Sequence, residues 1–417
     1  MNNVLFISYF WPPSGKASLH WPLFIIKHLP KLGWMPSVLT VDEDSFSHRD
    51  DSLSSEIDRN IKVVKTAANE PFNIYRKFLG KKSGAPLVAS EIISLTNADW
   101  KHRLSIWIRM NLFIPDARIG WFLSALSGGR RLIESERPKA IVSIGPPHSS
   151  HLIGKKLSKQ FNIPHIPVLI DPWVDIVYYR DFTRTALTRA LDNYFERSTF
   201  RNAKQIIFVT KSARENYLKK YPWIEKKSHV LYWGFNKEEL QIKSRTSEME
   251  IILHAGNIFD YQNPSIFWKN IKSKIDQGKK LRLRFVGTVS PEVKNSISQS
   301  GLDPFTDYVG FLPYKEVLQE MVNATYLLVC STEKRHVPGK LFEYLSTGNI
   351  IIAFGDDNEE VKGILDQSEA GILFSYSYDL FDIFEKLKTI SPKPEHSLQY
   401  SREFIAGQLA EILNSSI

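Results

Sequence analysis

Cysteine is almost absent from this 417-residue chain: Cys330 is the single one, so no internal disulfide can form. It ends the apolar run Tyr326-Leu327-Leu328-Val329 and reads as buried packing in a protein of a reducing compartment. No run of about 18 apolar residues occurs, so no membrane-spanning helix is expected. No basic segment precedes Val4, and the apolar run there is too short for a signal peptide, so a cytoplasmic protein is expected. Zinc-finger cysteines, helix-turn-helix and RNP-like patterns are missing, which argues against nucleic acid despite a net charge of +9. That charge suits anionic lipid or phosphorylated ligands instead. No G-x-G-x-x-G follows the first strand, which removes the dinucleotide fingerprint. Internal repeats and low-complexity tracts are also missing.

What is present is a globular composition, 43% hydrophobic and 24% charged, long enough for two or three domains. Val4-Leu5-Phe6-Ile7 reads as a buried strand. A loop from Tyr9 to Ser18 follows, then a helix through Leu23, Phe24, Ile26 and Leu29 that stops near Gly33. Ser37 to Val41 is the next strand, making a βαβ opening. Residues 42–120 break the alternation. They hold two clusters that mix basic and large apolar residues: Tyr75 to Lys82, and Trp100 to Phe113. That mixture suits a helix lying on anionic headgroups, and equally an amphipathic helix packed on its own domain.

Ala140 to Ile144 and Pro167 to Ile170 are further buried strands. His148 and Asp171 fall just beyond their carboxyl ends, where open α/β sheets collect ligands. His148 could touch a ligand or cap the helix that follows. Lys237 to Glu250 is polar, lacks apolar periodicity and reads as a linker. A second βαβ series then begins at Ile251.

Within that series, Pro338 and Gly339 open a short helix and Gly348 closes it. Leu341, Tyr344 and Leu345 would face the core, leaving Lys340, Glu343 and Thr347 on the other face. Free N–H groups at the helix start, together with the Lys340 ammonium, would hold a diphosphate. Glu343, one turn further in, could accept from ribose hydroxyls. Spacing alone equally allows an ordinary Lys340–Glu343 surface pair.

Val337-Pro338-Gly339-Lys340-Leu341-Phe342-Glu343-Tyr344-Leu345, then Gly348 and Ile350-Ile351-Ile352-Ala353, resembles the donor-site segment of family 4 glycosyltransferases. Gly33-Trp34-Met35-Pro36, Ala203 to Thr210 and Val230 to Asn236 extend the resemblance along the chain. The resemblance implies an α/β chain of the GT-B fold, with two Rossmann-like α/β/α domains facing each other across a cleft. It implies residues 1–236 as the acceptor-side domain, with a C-terminal helix over 400–417 packing back on it, and 237–399 as the nucleotide-sugar domain. It implies retaining transfer from a nucleoside diphosphate sugar to a glycan or lipid-linked acceptor, with no metal and no other cofactor. Surface polysaccharide or glycoconjugate synthesis, at the inner face of the cytoplasmic membrane, is the expected setting. Asp42-Glu43-Asp44, which has the form of a metal motif of the other large glycosyltransferase fold, is then a solvated turn.

The same resemblance implies donor contacts from Gly15, Asn257, Thr288, Phe311, Leu312, Arg335, His336, Gly339, Lys340, Leu341 and Glu343. Asp171 and His148 would serve the acceptor side as catalytic candidates. Departures from the family pattern exist. Val168 and Ile170 replace an Asp and an Arg before Asp171-Pro172-Trp173. No basic residue stands among Asn257, Asp260, Gln262 and Asn263, where relatives carry an Arg and a Lys. Arg335 replaces the first of two glutamates, so Arg335 or His336 would supply the missing positive charge. A catalytically weakened nucleotide- or partner-binding homologue, or a sugar-nucleotide epimerase, is the alternative.

Overall fold

The computed structural model describes all of the chain except residues 47–48, 69–99, 177–181, 237–248, 332–333, 335–336 and 379–381. Residues 237–248 of the linker expected over Lys237 to Glu250, and the cluster from Tyr75 to Lys82, therefore lie outside the described residues, while Glu250 already belongs to a strand. Contacts divide the chain into two units, Met1–Tyr232 with Ala406–Ile417, and Trp233–Ile405.

The first unit is built on a seven-stranded sheet, wholly parallel, in the order β3-β2-β1-β4-β5-β6-β7. Its strands are β1 (Asn2–Ile7), β2 (Trp34–Val41), β3 (Lys62–Thr66), β4 (Ala140–Gly145), β5 (His165–Leu169), β6 (Ile206–Phe208) and β7 (Ser228–Val230). Between them run α1 (His20–Ile26), α2 (Trp100–Leu112), α3 (Phe122–Glu136), α4 (Ser149–Phe161), α5 (Ala186–Asn202) and α6 (Lys211–Lys220). β3 was not foreseen in the irregular stretch. Only Thr66 of Lys62-Val63-Val64-Lys65-Thr66 is fully buried, so this edge strand lacks the apolar run that marks the others. Leu5, Ile7, Leu39, Ile141 and Leu157 pack with Trp121 and Tyr9 in one core cluster.

The second unit carries a six-stranded parallel sheet in the order β10-β9-β8-β11-β12-β13. The strands are β8 (Glu250–Ala255), β9 (Leu281–Val286), β10 (Thr306–Gly310), β11 (Tyr326–Cys330), β12 (Ile350–Phe354) and β13 (Gly371–Phe374). Its helices are α7 (Ser265–Asp276), α8 (Pro291–Gln299), α9 (Tyr314–Asn323), α10 (Lys340–Ser346), α11 (Glu359–Ser368) and α12 (Ile383–Leu387). Cys330 is buried in its core beside Phe354 and Phe374, and that burial pushes the thiol up to about 12.

A final helix, α13 (Arg402–Asn414), carries the chain back into the first unit from Ala406 on. There Trp34 donates its indole N–H to Asn414 Oδ1 at 3.0 Å. Ile405, Leu409 and Ile412 are buried as their spacing suggests, but Phe404 is exposed, and Ala406, Ala410 and Leu413 complete the buried stripe. Among the described residues no helix is long and apolar enough to cross a membrane.

Candidate functional site

The second unit gathers its candidate residues beyond the carboxyl ends of β8, β9 and β10. Three glycines with left-handed backbone, Gly256, Gly287 and Gly310, end or follow these strands. Gly287 N donates to Gly310 O at 2.7 Å, and Ile258 N donates to Thr288 O at 2.9 Å. A Cβ on Gly287 would stand 2.6 Å from Gly256 O, so a side chain there would force the two turns apart. Asn257 accepts from Thr288 N through its Oδ1 at 3.2 Å, so it ties the loops together. Both Asn257 and Thr288 are exposed.

Lys340 reaches this turn from the first residue of α10. Its Nζ lies 3.2 Å from His254 Nε2, and a Cβ on Gly256 would come within 2.9 Å of it. Burial pushes the ammonium down to about 8. His254 is buried, and desolvation first, then the Lys340 charge, hold its imidazole well below its usual range. It is therefore neutral and offers a lone pair to the ammonium. Tyr344, one turn along the buried side, takes the Ala255 N–H on its hydroxyl at 2.8 Å and fixes α10 to the end of β8.

The exposed Lys340–Glu343 pair that spacing alone allowed is not what forms. Glu343 Oε1 accepts from the Tyr314 hydroxyl at 2.9 Å and lies 3.5 Å from Arg402 Nη2. Thr347 is buried, with its hydroxyl on Tyr344 O, so α10 lacks the second solvated face its spacing suggested. Leu341 and Phe342 are wholly buried, and their N–H groups donate to Pro338 O and Gly339 O. The helix start thus offers an anion fewer amides than the sequence implied. Gly339 packs against Trp233, 3.3 Å from where its Cβ would be. Phe311 is exposed and Leu312 half-buried after β10. Arg335 and His336 lie outside the described residues.

In the first unit Asp171 follows β5, with Ile170 N donating to Gly145 O at 2.8 Å. Trp173 anchors the segment: its backbone N–H donates to Tyr217 Oη at 2.8 Å and its indole N–H to Asp192 Oδ1 at 2.7 Å. The buried Glu196 accepts from Tyr217 and Tyr221 and pairs with Lys220 at 2.7 Å. Among the described residues no hydrogen bond or ion pair holds the Asp171 carboxylate. Desolvation by the surrounding protein pushes its pKa up to about 6.

His148 is buried and stacks on Trp173 at 5.0 Å between ring centroids. It occupies the N-cap of α4 but gives no side-chain cap, so the capping role is corrected. Asp116 caps instead, accepting from Ser149 N at 2.8 Å and Ser149 Oγ at 3.1 Å. Gly15 lies in the exposed part of the β1–α1 loop, against the backbone of Arg49 and Asp50. Glu43 of the acidic turn is engaged by Lys65 and by Arg49, the latter at 3.0 Å. His254, Tyr314, Arg402 and Asp116 escaped the sequence reading. Of these, only His254 carries a local signal, as an imidazole inside an apolar strand.

Residues 250–389 match the family model described as Glycosyl transferases group 1. The comparison with curated proteins gave no match. Among solved structures the chain is similar to a sucrose-phosphate synthase from Thermosynechococcus elongatus. The TM-score is 0.65 and the identity 13%, with 100% of this chain and 99% of that one covered. It is similar to HepE of Anabaena, solved with UDP and glucose, with a TM-score of 0.63, 14% identity and 100% of both chains covered. It is also similar to TarM of S. aureus in complex with fondaparinux, alpha-GlcNAc-glycerol and UDP. That match has a TM-score of 0.58 and 10% identity, over 99% of this chain and 100% of that one. The two parallel-sheet α/β units are those of the GT-B fold.

Proposed function

We propose that the chain is a retaining, metal-independent glycosyltransferase that moves a sugar from a nucleoside diphosphate sugar to a glycan or lipid-linked acceptor. Surface polysaccharide or glycoconjugate synthesis on the cytoplasmic side of the membrane is the setting we assign to it. The observation that carries the reading is the Lys340 ammonium, held by neutral His254 against the Gly256–Gly287 turn. A cation fixed there meets the charge that develops on a diphosphate leaving group. The glycines let the backbone come close to the phosphates. Glu343 takes the ribose hydroxyls, and the backbone of Phe311 and Leu312 takes the base. In the first unit Asp171 orients or deprotonates the acceptor hydroxyl, and His148 supports the Trp173 platform beneath it. Residues 237–399 then serve the donor, and 1–236 with 400–417 the acceptor.

A second reading, a binding-only homologue, is favoured by the lack of any basic residue from Asn257 to Asn263. Turnover of a nucleotide-sugar panel, with and without glycan acceptors, separates the readings. The transferase releases nucleoside diphosphate and a lengthened acceptor. Binding without turnover supports the homologue, and conversion of the sugar nucleotide without acceptor supports an epimerase.

A further inference from the structure

The chain leaves the first sheet around Asp171. Ile170 N still bonds Gly145 O of β4 at 2.8 Å, but Pro172 has no N–H to give. The amides of Trp173 and Val174 must therefore find partners away from the sheet, because a buried backbone donor is rarely left unpaired. Both find them on side chains. Trp173 N donates to Tyr217 Oη at 2.8 Å, and Val174 N donates to Glu196 Oε2 at 3.3 Å. Tyr217 Oη donates in turn to the same Glu196 Oε2 at 2.8 Å. A carboxylate can only accept, so the Tyr217 proton points to Glu196 and the phenol oxygen is left to take the Trp173 N–H.

Stability does not explain this arrangement. Glu196, Tyr217 and Tyr221 are all buried, with Phe200, Phe208 and Ile224 in the core beside the two tyrosines. Burying a carboxylate and its Lys220 counter-charge is costly, and apolar side chains of similar volume commonly serve a core as well or better. The Tyr217 ring stacks on Phe208 with centroids 5.0 Å apart, and a phenylalanine would pack the same way. What a phenylalanine cannot do is offer an acceptor to the backbone two residues after Asp171. Trp173 is held at its other end as well, by Asp192 Oδ1 on the indole N–H at 2.7 Å, and Asp192 is itself paired with Arg184 at 2.7 Å.

We propose that Tyr217, oriented by Glu196, is a positioning residue of the acceptor chemistry: it holds the backbone at Trp173 and so sets where Asp171 presents its carboxylate. The proposal rests on the reading of Asp171 as the group that orients or deprotonates the acceptor. Tyr221 separates this role from plain packing. Its hydroxyl donates to Glu196 Oε1 at 2.9 Å and is buried likewise, but among the described hydrogen bonds it reaches neither Trp173 nor Val174.

Tyr217→Phe and Tyr221→Phe each remove one hydroxyl from the same carboxylate. Tyr217→Phe should lower kcat by about 10- to 100-fold, the cost of a reacting group displaced by about 1 Å, and leave the donor KM unchanged. Tyr221→Phe should keep kcat near wild type, although both variants lose a comparable amount of melting temperature. Hydrogen exchange of the 170–176 peptide reads the same contact without turnover. It should quicken on the order of fivefold in Tyr217→Phe, the loss of one hydrogen bond, and keep the wild-type rate in Tyr221→Phe. Equal kcat in the two variants would overturn the proposal. So would exchange in Tyr217→Phe that is unchanged at 170–176 or that quickens throughout the first unit. A wild type that turns over no nucleotide sugar sinks the transferase reading instead, and the exchange comparison then decides alone whether Tyr217 holds the segment.

Discussion

Lys340 Nζ and His254 Nε2 lie 3.2 Å apart, joining the first residue of α10 to the next-to-last residue of β8. An imidazole kept neutral by burial accepts one proton of the ammonium and aims the rest beyond the glycine turn. The ammonium is not consumed by Glu343, so it remains available to an anion.

Lys340→Ala is therefore expected to weaken nucleoside diphosphate binding by about 1.5–3 kcal/mol, the worth of a charged hydrogen bond. Its pH dependence has a definite sign. Burial holds the free ammonium at about 8, and a bound diphosphate favours the charged form. Affinity should fall as pH rises through about 8, and binding just above that pH should take up a proton. Calorimetry in two buffers of different ionisation enthalpy reads the proton directly. Wild-type affinity in the alanine variant would falsify the donor-site assignment.

Glu343→Gln should weaken discrimination between ribose and 2′-deoxyribose nucleotides, because the acceptor for the ribose hydroxyls is weakened. It should also lower stability by about 1–3 kcal/mol. The amide oxygen can keep the Tyr314 bond, but the charge facing buried Arg402 is gone. Titration with the two nucleotides, beside a melting curve, checks both parts. A stability loss with unchanged sugar discrimination would assign Glu343 to the fold alone.

Asp171→Asn tests the acceptor side. Turnover should drop sharply while donor affinity holds, since the carboxylate follows β5 in the first unit and the donor residues belong to the second. In the wild type, the rate should rise with pH through about 6, as the carboxylate loses its proton. The asparagine variant should lose that limb of the profile. A parallel loss of donor affinity would make the residue structural.

The two sheets were legible because their central strands are short apolar runs, such as Ile350 to Ala353 and Ala140 to Ile144, that only a buried strand explains. Helix α10 was legible from Pro338, Gly339 and the placement of Leu341, Tyr344 and Leu345. Its electrostatics were not. Helical spacing offers Lys340 a partner three residues away, whereas the partner it takes is 86 residues distant in sequence. Arg402 lies 59 residues from Glu343, and Asp116 lies 33 from the helix start it caps. Such pairings are set by which strand ends lie side by side, and single-segment patterns do not carry that information.

The last prediction concerns acid. His148, His151 and His165 are buried together in the first unit, with Ser143 Oγ 2.8 Å from His151 Nδ1 and 2.7 Å from His165 Nε2. Desolvation lowers His148 and His165 to about 3 and holds His151 well below its usual range. Each therefore binds fewer protons folded than unfolded at any pH between its folded value and about 6.5. Stability must fall as pH drops below about 6.5, by up to ~1.4 kcal/mol per pH unit for each histidine. Raised carboxyls such as Asp171 act in the opposite direction, since the folded state gains their protons first. Asp116, Asp192 and Glu196 are likewise raised by desolvation and offset part of the effect, so the net slope between about pH 6.5 and about pH 5.5 should be downward but shallower than three protons. Urea unfolding followed through the first unit should show its midpoint falling over that range. His165→Gln can keep a hydrogen bond to Ser143 but cannot titrate, so it should flatten the slope by about one proton. A midpoint that stays level from neutral to mildly acid pH would mean that these imidazoles are hydrated or already charged in the folded protein.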